Sequence, residues 1–279
     1  MQKRVAAIHD ISCFGKCSLT VALPIISAAG IETSVIPTAV LSTHTGGFSG
    51  FTFRDLTEDI VPVAEHWKRE GLHFDAIYTG YLGSFEQIDL VCEIVNILRD
   101  EDTLVIVDPV MADHGKLYQC FPDNFPEGMK KLCSIADIII PNITEACLML
   151  GKEYKTAPYN KEYIEDLLTE LKKIGAKTPI LTGVAFDECD LGAACLDGDV
   201  IKYACAPKVD AFYHGTGDVF GSAFIGALLN GNDLQKSMEI AAFYTRGCIE
   251  RTAKHHPEMT YGVNFEAEIP EYLRLLGKV

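Results

Sequence analysis

Apolar positions follow two alternating rhythms along the chain. Compact apolar runs with β-branched residues at 4–9, 32–41, 74–82, 103–111, 136–142 and 178–184 predict strands. Between them the spacing becomes helical, over 18–30, 56–70, 88–100, 126–134, 143–151 and 160–174. Ile60, Val63, Ala64 and Trp67 illustrate it, recurring on one side of a helix. Pro24 predicts a kink and Gly30 a stop; Gly151 reads as a C-cap. After residue 190 the rhythm changes. Two runs over 191–206 meet at Asp197-Gly198, a strong hairpin turn. Two successive helices, 215–231 and 233–253, and a short helix over 266–276 complete the chain.

Repeated βα units predict an α/β fold, a doubly wound and mainly parallel central sheet flanked by helices, with an antiparallel edge hairpin. With no internal repeat and no low-complexity linker, residues 1–279 read as a single domain. A polar motif follows each strand: His9-Asp10, "STHTGG", "TGY", "DPVMADHG", "PNITE" and "LTG". In such a sheet these motifs gather at the carboxyl edge, where ligands bind. That placement is the main reason to expect an enzyme.

Charge and cysteine usage narrow the partners. The formal net charge is −15, which repels nucleic acid and anionic membranes. None of the ten cysteines forms a C-x-x-C pair, so the expectation is reduced, buried thiols and no zinc site. No apolar stretch approaches the roughly 20 residues of a membrane helix, and no secretory signal precedes the first strand. The expectation is a cytoplasmic protein.

The segment "YHGTGDVFGSAF", 213–224, carries the sharpest chemistry. It is not a P-loop, which needs G-x-x-x-x-G-K-[ST], and its third glycine, Gly221, falls one place late for a dinucleotide turn. The N–H groups of Gly215, Thr216 and Gly217 can form a concave donor nest at a helix start. A nest of this kind stabilises charge building on a transferring phosphoryl group. Asp218, on the first turn, suits a base for a hydroxyl nucleophile. On these residues alone an ordinary helix-start carboxylate is an equal alternative.

"GTGD" before an apolar helix resembles the anion hole and catalytic base of ribokinase-like kinases. "KVDAFYHGTGDVF", "STHTGGF", "IYTGYLGS", "VDPVMADHGKLY" and "IIIPNITEACLMLG" are similar, in that order, to the pyridoxal kinase branch, over residues 9–224. The resemblance implies transfer of the ATP γ-phosphoryl group to pyridoxal, pyridoxamine or pyridoxine. Asp218 is then the base and Gly215, Thr216 and Gly217 the anion hole. Asn142, Asp113, Tyr118 and Thr182 would lie near ATP, and Asp108 and Glu145 near Mg²⁺. Asp10 or Ser12, with His44, Thr45 and Tyr81, would meet the vitamer ring. A monovalent cation, K⁺, and a homodimer are further expectations of the family. Read without it, Asn142 and Glu145 form a capping box, Tyr81 packs on the core, and His214 is a surface or lid histidine. The sequence departs from the branch at Ala112, Gly47 and Gly183.

Two rival functions stand beside this one. A hydroxymethylpyrimidine (phosphate) kinase acts on a similarly flat ring with a hydroxymethyl group. A non-catalytic nucleotide- or B6-binding protein would share the fold, but need not retain Asp218.

Overall fold

The computed structural model describes residues 2–279. Its central sheet runs β1 (Arg4–Ser12), β2 (Glu32–Leu41), β3 (Phe53–Asp55), β4 (Ala76–Thr79), β5 (Leu104–Val107), β8 (Ile138–Ile139), β9 (Thr178–Val184), β10 (Asp190–Asp197) and β11 (Val200–Pro207). Between β5 and β8 a separate two-stranded ribbon forms from β6 (Ala112–Asp113) and β7 (Lys116–Leu117). The spatial order is β11-β10-β9-β8-β5-β4-β1-β2-β3. Pairing from β9 across to β2 is parallel, while β10, β11 and β3 pair antiparallel at the two edges. After β2 the chain crosses to the other side of β1, so the topological switch point lies between β1 and β4. That is where an open α/β sheet leaves a crevice.

The two-residue period of the strands explains the two cores. Ala6, Ile8, Ile77, Val105, Val107 and Ile139 face one side. They are covered by α2 (Thr57–Arg69), α3 (Phe85–Leu98), α4 (Phe125–Cys133), α5 (Ile143–Leu150) and α6 (Lys161–Lys173). Val5, Ala76, Tyr78, Ile106 and Ile138 face the other. Over them lie α1 (Leu19–Ala28), α7 (Thr216–Leu229), α8 (Leu234–His255) and α9 (Ile269–Leu275). Almost every strand residue in the middle of the sheet is buried, as a sheet covered on both faces requires.

The predicted elements are present, but the strands predicted over 74–82, 103–111 and 136–142 shrink to Ala76–Thr79, Leu104–Val107 and Ile138–Ile139, and there are three further differences. β1 continues to Ser12, three residues beyond the predicted end, so Asp10 and Ser12 are strand residues. A register shift against β2 between His9 and Ile11 accommodates the extension. The edge strand β3 and the β6–β7 ribbon were not foreseen, because each is too short to show a period. The ribbon turns through His114 (φ 50°) and Gly115 (φ 76°), the left-handed pair of a tight hairpin. Pro24 is accommodated inside α1.

All ten cysteines are free thiols. Among the described residues no helix is long and apolar enough to cross a membrane.

Candidate active site

At the carboxyl edge of the sheet lies a cavity of about 400 Å³. Its walls come from segments distant in sequence: Asp108 after β5, Asp113 and Tyr118 in and beyond the β6–β7 ribbon, Asn142 and Glu145 at the start of α5, Thr182 in β9, and residues 213–218 leading into α7. The predicted catalytic, nucleotide and metal residues are thus brought into one space.

The glycine turn has a steric cause. Gly215 is the N-cap of α7 with φ 76°, and a Cβ there would overlap the carbonyl oxygen of Lys16. Only glycine satisfies both constraints. The next three N–H groups, of Thr216, Gly217 and Asp218, belong to the first turn and have no intrahelical acceptor. All three residues line the cavity, at the positive end of the helix dipole. Gly221 serves a different end. A Cβ there would sit 2.6 Å from the hydroxyl of buried Tyr78, which reaches up under α7.

Four carboxyl groups line this space, and no cation lowers the pKa of the three most buried, Asp108, Glu145 and Asp218. Burial lifts the pKa of Asp218 to about 7, against an opposing contribution from the main chain of Ser18. Burial likewise lifts Glu145 to about 8, despite three backbone N–H groups facing it. Asp108 is raised strongly by burial and by the charges of Glu145 and Asp218. A site dense in carboxylate oxygen suits a hard divalent cation that keeps several waters. Among the described residues no group of three or more His, Cys, Asp or Glu is placed to hold a metal ion by itself.

Asn142 and Glu145 form the capping box of α5. Asn142 Oδ1 accepts the Glu145 N–H (3.0 Å), and Glu145 Oε2 accepts the Asn142 N–H (2.9 Å). They also reach outward. Asn142 Nδ2 donates to the Ala112 carbonyl (2.8 Å), and Glu145 Oε1 accepts the Met111 N–H (3.1 Å). The pair therefore pins the segment that carries Asp113 and Tyr118 over the cavity. Asp113 accepts the His114 N–H (2.8 Å) at the ribbon's turn. Tyr118 is 39% exposed at the mouth.

The residues expected at the acceptor ring lie outside the cavity walls, around the switch point. Asp10 is buried, and its charge adds to the rise in the Asp218 pKa. Ser12, itself buried, donates its hydroxyl to Asp10 (3.0 Å), so the two expected ring contacts form one hydrogen-bonded pair. Burial raises the Asp10 pKa, opposed by Ser18 and Ser12. Tyr81 packs beside Phe121, centroids 5.5 Å apart, with its hydroxyl 3.7 Å from Cys120 Sγ.

His44 has both ring nitrogens occupied. Nδ1 accepts the Gly46 N–H (3.0 Å), which assigns the proton to Nε2, the donor to the Tyr261 carbonyl (3.0 Å). It can offer an acceptor ring a surface but no free hydrogen bond. Thr45 is exposed. His214 does line the cavity, and its ring bridges those of His44 (5.5 Å) and Phe212 (5.6 Å).

Sequence reasoning missed the α8 wall. Ala242, Thr245, Arg246 and Ile249 of α8 line the cavity, together with Val209. Thr245 Oγ1 and Arg246 Nε are buried there without a hydrogen-bond partner. The available signal was the polar Thr245-Arg246 pair inside an otherwise ordinary amphipathic helix. Ser18 was also missed, although it opposes the rise in pKa of both Asp10 and Asp218.

A doubly wound sheet, a glycine-turn helix start and an acidic cavity at the carboxyl edge are the features of a small-molecule kinase of ribokinase-like fold. The chain belongs to the phosphomethylpyrimidine kinase family, whose model matches residues 23–263. A Bacteroides thetaiotaomicron protein, provisionally assigned as a phosphomethylpyrimidine kinase and crystallised with pyridoxal, is 35% identical, with a TM-score of 0.91 over 98% of this chain and 96% of that one. Pyridoxal kinase from Lactobacillus plantarum is 31% identical, with a TM-score of 0.88 over 99% and 98% of the two chains. Pyridoxal kinase from Dictyostelium discoideum is 27% identical over 99% of this chain and 94% of its own length.

Proposed function

We propose that residues 1–279 form one kinase domain that transfers the γ-phosphoryl group of ATP to the 5′-hydroxymethyl oxygen of B6 vitamers. The products are the vitamer 5′-phosphate and ADP. The observation that carries this reading is the meeting of the Gly215–Asp218 turn with Asp108, Asn142 and Glu145 around one cavity. Phosphoryl transfer asks the protein mainly for positioning and charge neutralisation. In the proposed step the vitamer oxygen forms a bond to Pγ as the bond from Pγ to the β,γ-bridging oxygen breaks. Asp218 takes the hydroxyl proton, and ADP leaves with the electron pair. The first-turn N–H groups of α7 face the oxygens that carry the developing charge. Asp108 and Glu145 would hold Mg²⁺, directly or through water. The ion, when bound, neutralises the phosphate oxygens. The apolar end between Val209, Ala242 and Ile249 fits the nucleotide's base, with Asp113, Tyr118 and Thr182 along its phosphates. Asp10, Tyr81 and the His44–Thr45 loop would frame the vitamer ring. A cytoplasmic homodimer that uses K⁺ belongs to the same reading.

A second reading, a hydroxymethylpyrimidine (phosphate) kinase, is favoured by the description of the matching family. ADP release measured with pyridoxal, pyridoxine, pyridoxamine, hydroxymethylpyrimidine and its phosphate separates the two. The highest kcat/KM is expected with a B6 vitamer. A higher value with a pyrimidine replaces the first reading by the second, and no release with any acceptor leaves a non-catalytic binding protein.

A further inference from the structure

Two adjacent glycines in the loop after β2, the loop that carries His44 and Thr45, are glycine for different reasons. Gly47 has φ 80°, and a Cβ there would meet nothing within 4 Å. Its backbone is what requires glycine. Gly46 is not among the positive-φ residues, so its backbone would accept a side chain. Space is what forbids one. A Cβ at 46 would lie 2.8 Å from both Cε1 and Nδ1 of the His214 ring. His214 is remote in sequence, and it directly precedes the glycine turn of α7.

The His214 ring has little room to yield. The His44 ring lies beside it with centroids 5.5 Å apart, and the Phe212 ring with centroids 5.6 Å apart. Phe212 is in turn 5.1 Å from His114 at the ribbon's turn. His44 is held by two hydrogen bonds, from the Gly46 N–H and to the Tyr261 carbonyl. A Cβ on Gly15 would overlap the His44 ring, so that ring too is seated against main chain. Phe48 packs edge-on to His44, centroids 5.0 Å apart. The row from His114 through Phe212, His214 and His44 to Phe48 thus draws three segments together: the ribbon, the residues before α7, and the loop after β2. Its first three members line the cavity.

We propose that His214 is a positioning residue of the phosphoryl-transfer site: its ring, seated on the bare Cα of Gly46 between His44 and Phe212, fixes the acceptor loop 44–48 to the glycine turn that starts α7. Gly215 is locked against the Lys16 carbonyl, so the turn is the fixed partner and the loop is the part being held. A binding group on a loop is placed only as well as the shell that supports it, and small misplacements of an acceptor are costly. The inference rests on the kinase reading for what the loop binds.

The test uses Gly46→Ala, His214→Ala, their double variant, His214→Phe and His214→Gln in the full chain. Without substrate, the His214 Cε1 proton is followed by NMR and assigned by its loss in His214→Phe. It should move in Gly46→Ala. With pyridoxal as the varied acceptor, Gly46→Ala and His214→Ala should each raise the acceptor KM about tenfold and the ATP KM less than about twofold. The double variant should stay within about twofold of His214→Ala, because the added Cβ then has no ring to meet. His214→Phe should keep the acceptor KM within about threefold of wild type, and His214→Gln should resemble His214→Ala. An unmoved imidazole signal in Gly46→Ala overturns the proposal, as do single-variant effects that multiply in the double variant. Rescue by glutamine and not by phenylalanine also overturns it, and makes His214 a direct hydrogen-bond partner of the substrate. A wild type inactive on every acceptor defeats the kinase reading, and the imidazole signal then decides the proposal alone. An active wild type with an unmoved signal defeats the proposal and keeps the kinase reading.

Discussion

At the scale of single residues, Asp218 carries the most specific consequence. Burial lifts its pKa to about 7, and Asp10 adds to the lift. A base works only when deprotonated, so kcat/KM should fall as pH drops below about 7 and plateau above it. The acid limb of the profile measures this. A limb midpoint near the ordinary carboxylate value would mean that Asp218 is not the titrating base. Asp218→Asn should lower kcat by at least about 10²-fold while ATP affinity, read by calorimetry, stays close to wild type. Arg246 offers a second test. Its Nε is buried and unpaired at the end of the cavity assigned to the nucleotide, while its terminal nitrogen pairs with Glu250 at 2.9 Å. Arg246→Ala should raise the ATP KM by about fivefold or more and leave the vitamer KM alone, the pattern of lost ground-state binding. Steady-state kinetics with each substrate varied separates the outcomes.

At the scale of elements, the start of α7 depends on a contact made by the other end of the chain. Gly215→Ala adds a Cβ at φ 76° that overlaps the Lys16 carbonyl. Strain and overlap together should destabilise by about 2 kcal/mol or more and abolish turnover even in molecules that remain folded. Urea unfolding and a kcat measurement on the folded fraction check both. This contact also marks the limit of what the sequence conveys. The glycine turn, the helix after it and its place at a strand-to-helix edge were legible, because each depends on residues close together. The neighbour of Gly215 was not, since Lys16 is nearly the whole chain away. The same division holds elsewhere. The capping box of Asn142 and Glu145 could be read from a three-residue spacing. That the same two side chains pin Met111 and Ala112 could not. Asp10 and Ser12 were legible as polar groups near a strand end, but the hydrogen bond that joins them was not. α8 looked like a covering helix because its buried stripe is continuous, and only packing against the β11–α7 connection exposes Thr245 and Arg246 to the cavity.

At the scale of the whole molecule, two sets of carboxylates act on stability in opposite directions. Asp75 and Asp137 sit in ion pairs and backbone hydrogen bonds that hold their pKa values below normal. Their stabilisation is present above the ordinary carboxylate range and is lost on acidification. Asp108, Glu145 and Asp218 behave oppositely. Their raised values mean that the folded protein retains protons the unfolded chain has already released, so their penalty grows as pH rises from about 4 toward 8. The ligand-free protein should therefore be most stable on the acid side of neutrality. On the proposed function, a divalent cation bound with a nucleotide would remove this penalty. Mg²⁺ with ADP should raise Tm more at pH 8 than at pH 6, since binding must displace fewer protons at the higher pH. Asp108→Asn deletes a buried charge without deleting its volume. It should raise the Tm of the ligand-free protein at pH 8 by several degrees, at about 2–4 °C per kcal/mol for a chain of this size, and cancel the gain from Mg²⁺-ADP. Scanning calorimetry of both proteins at the two pH values reads all of these quantities. A variant that melts below wild type at pH 8 would show that Asp108 has a stabilising partner in the folded chain, and that charge crowding is not what the nucleotide relieves.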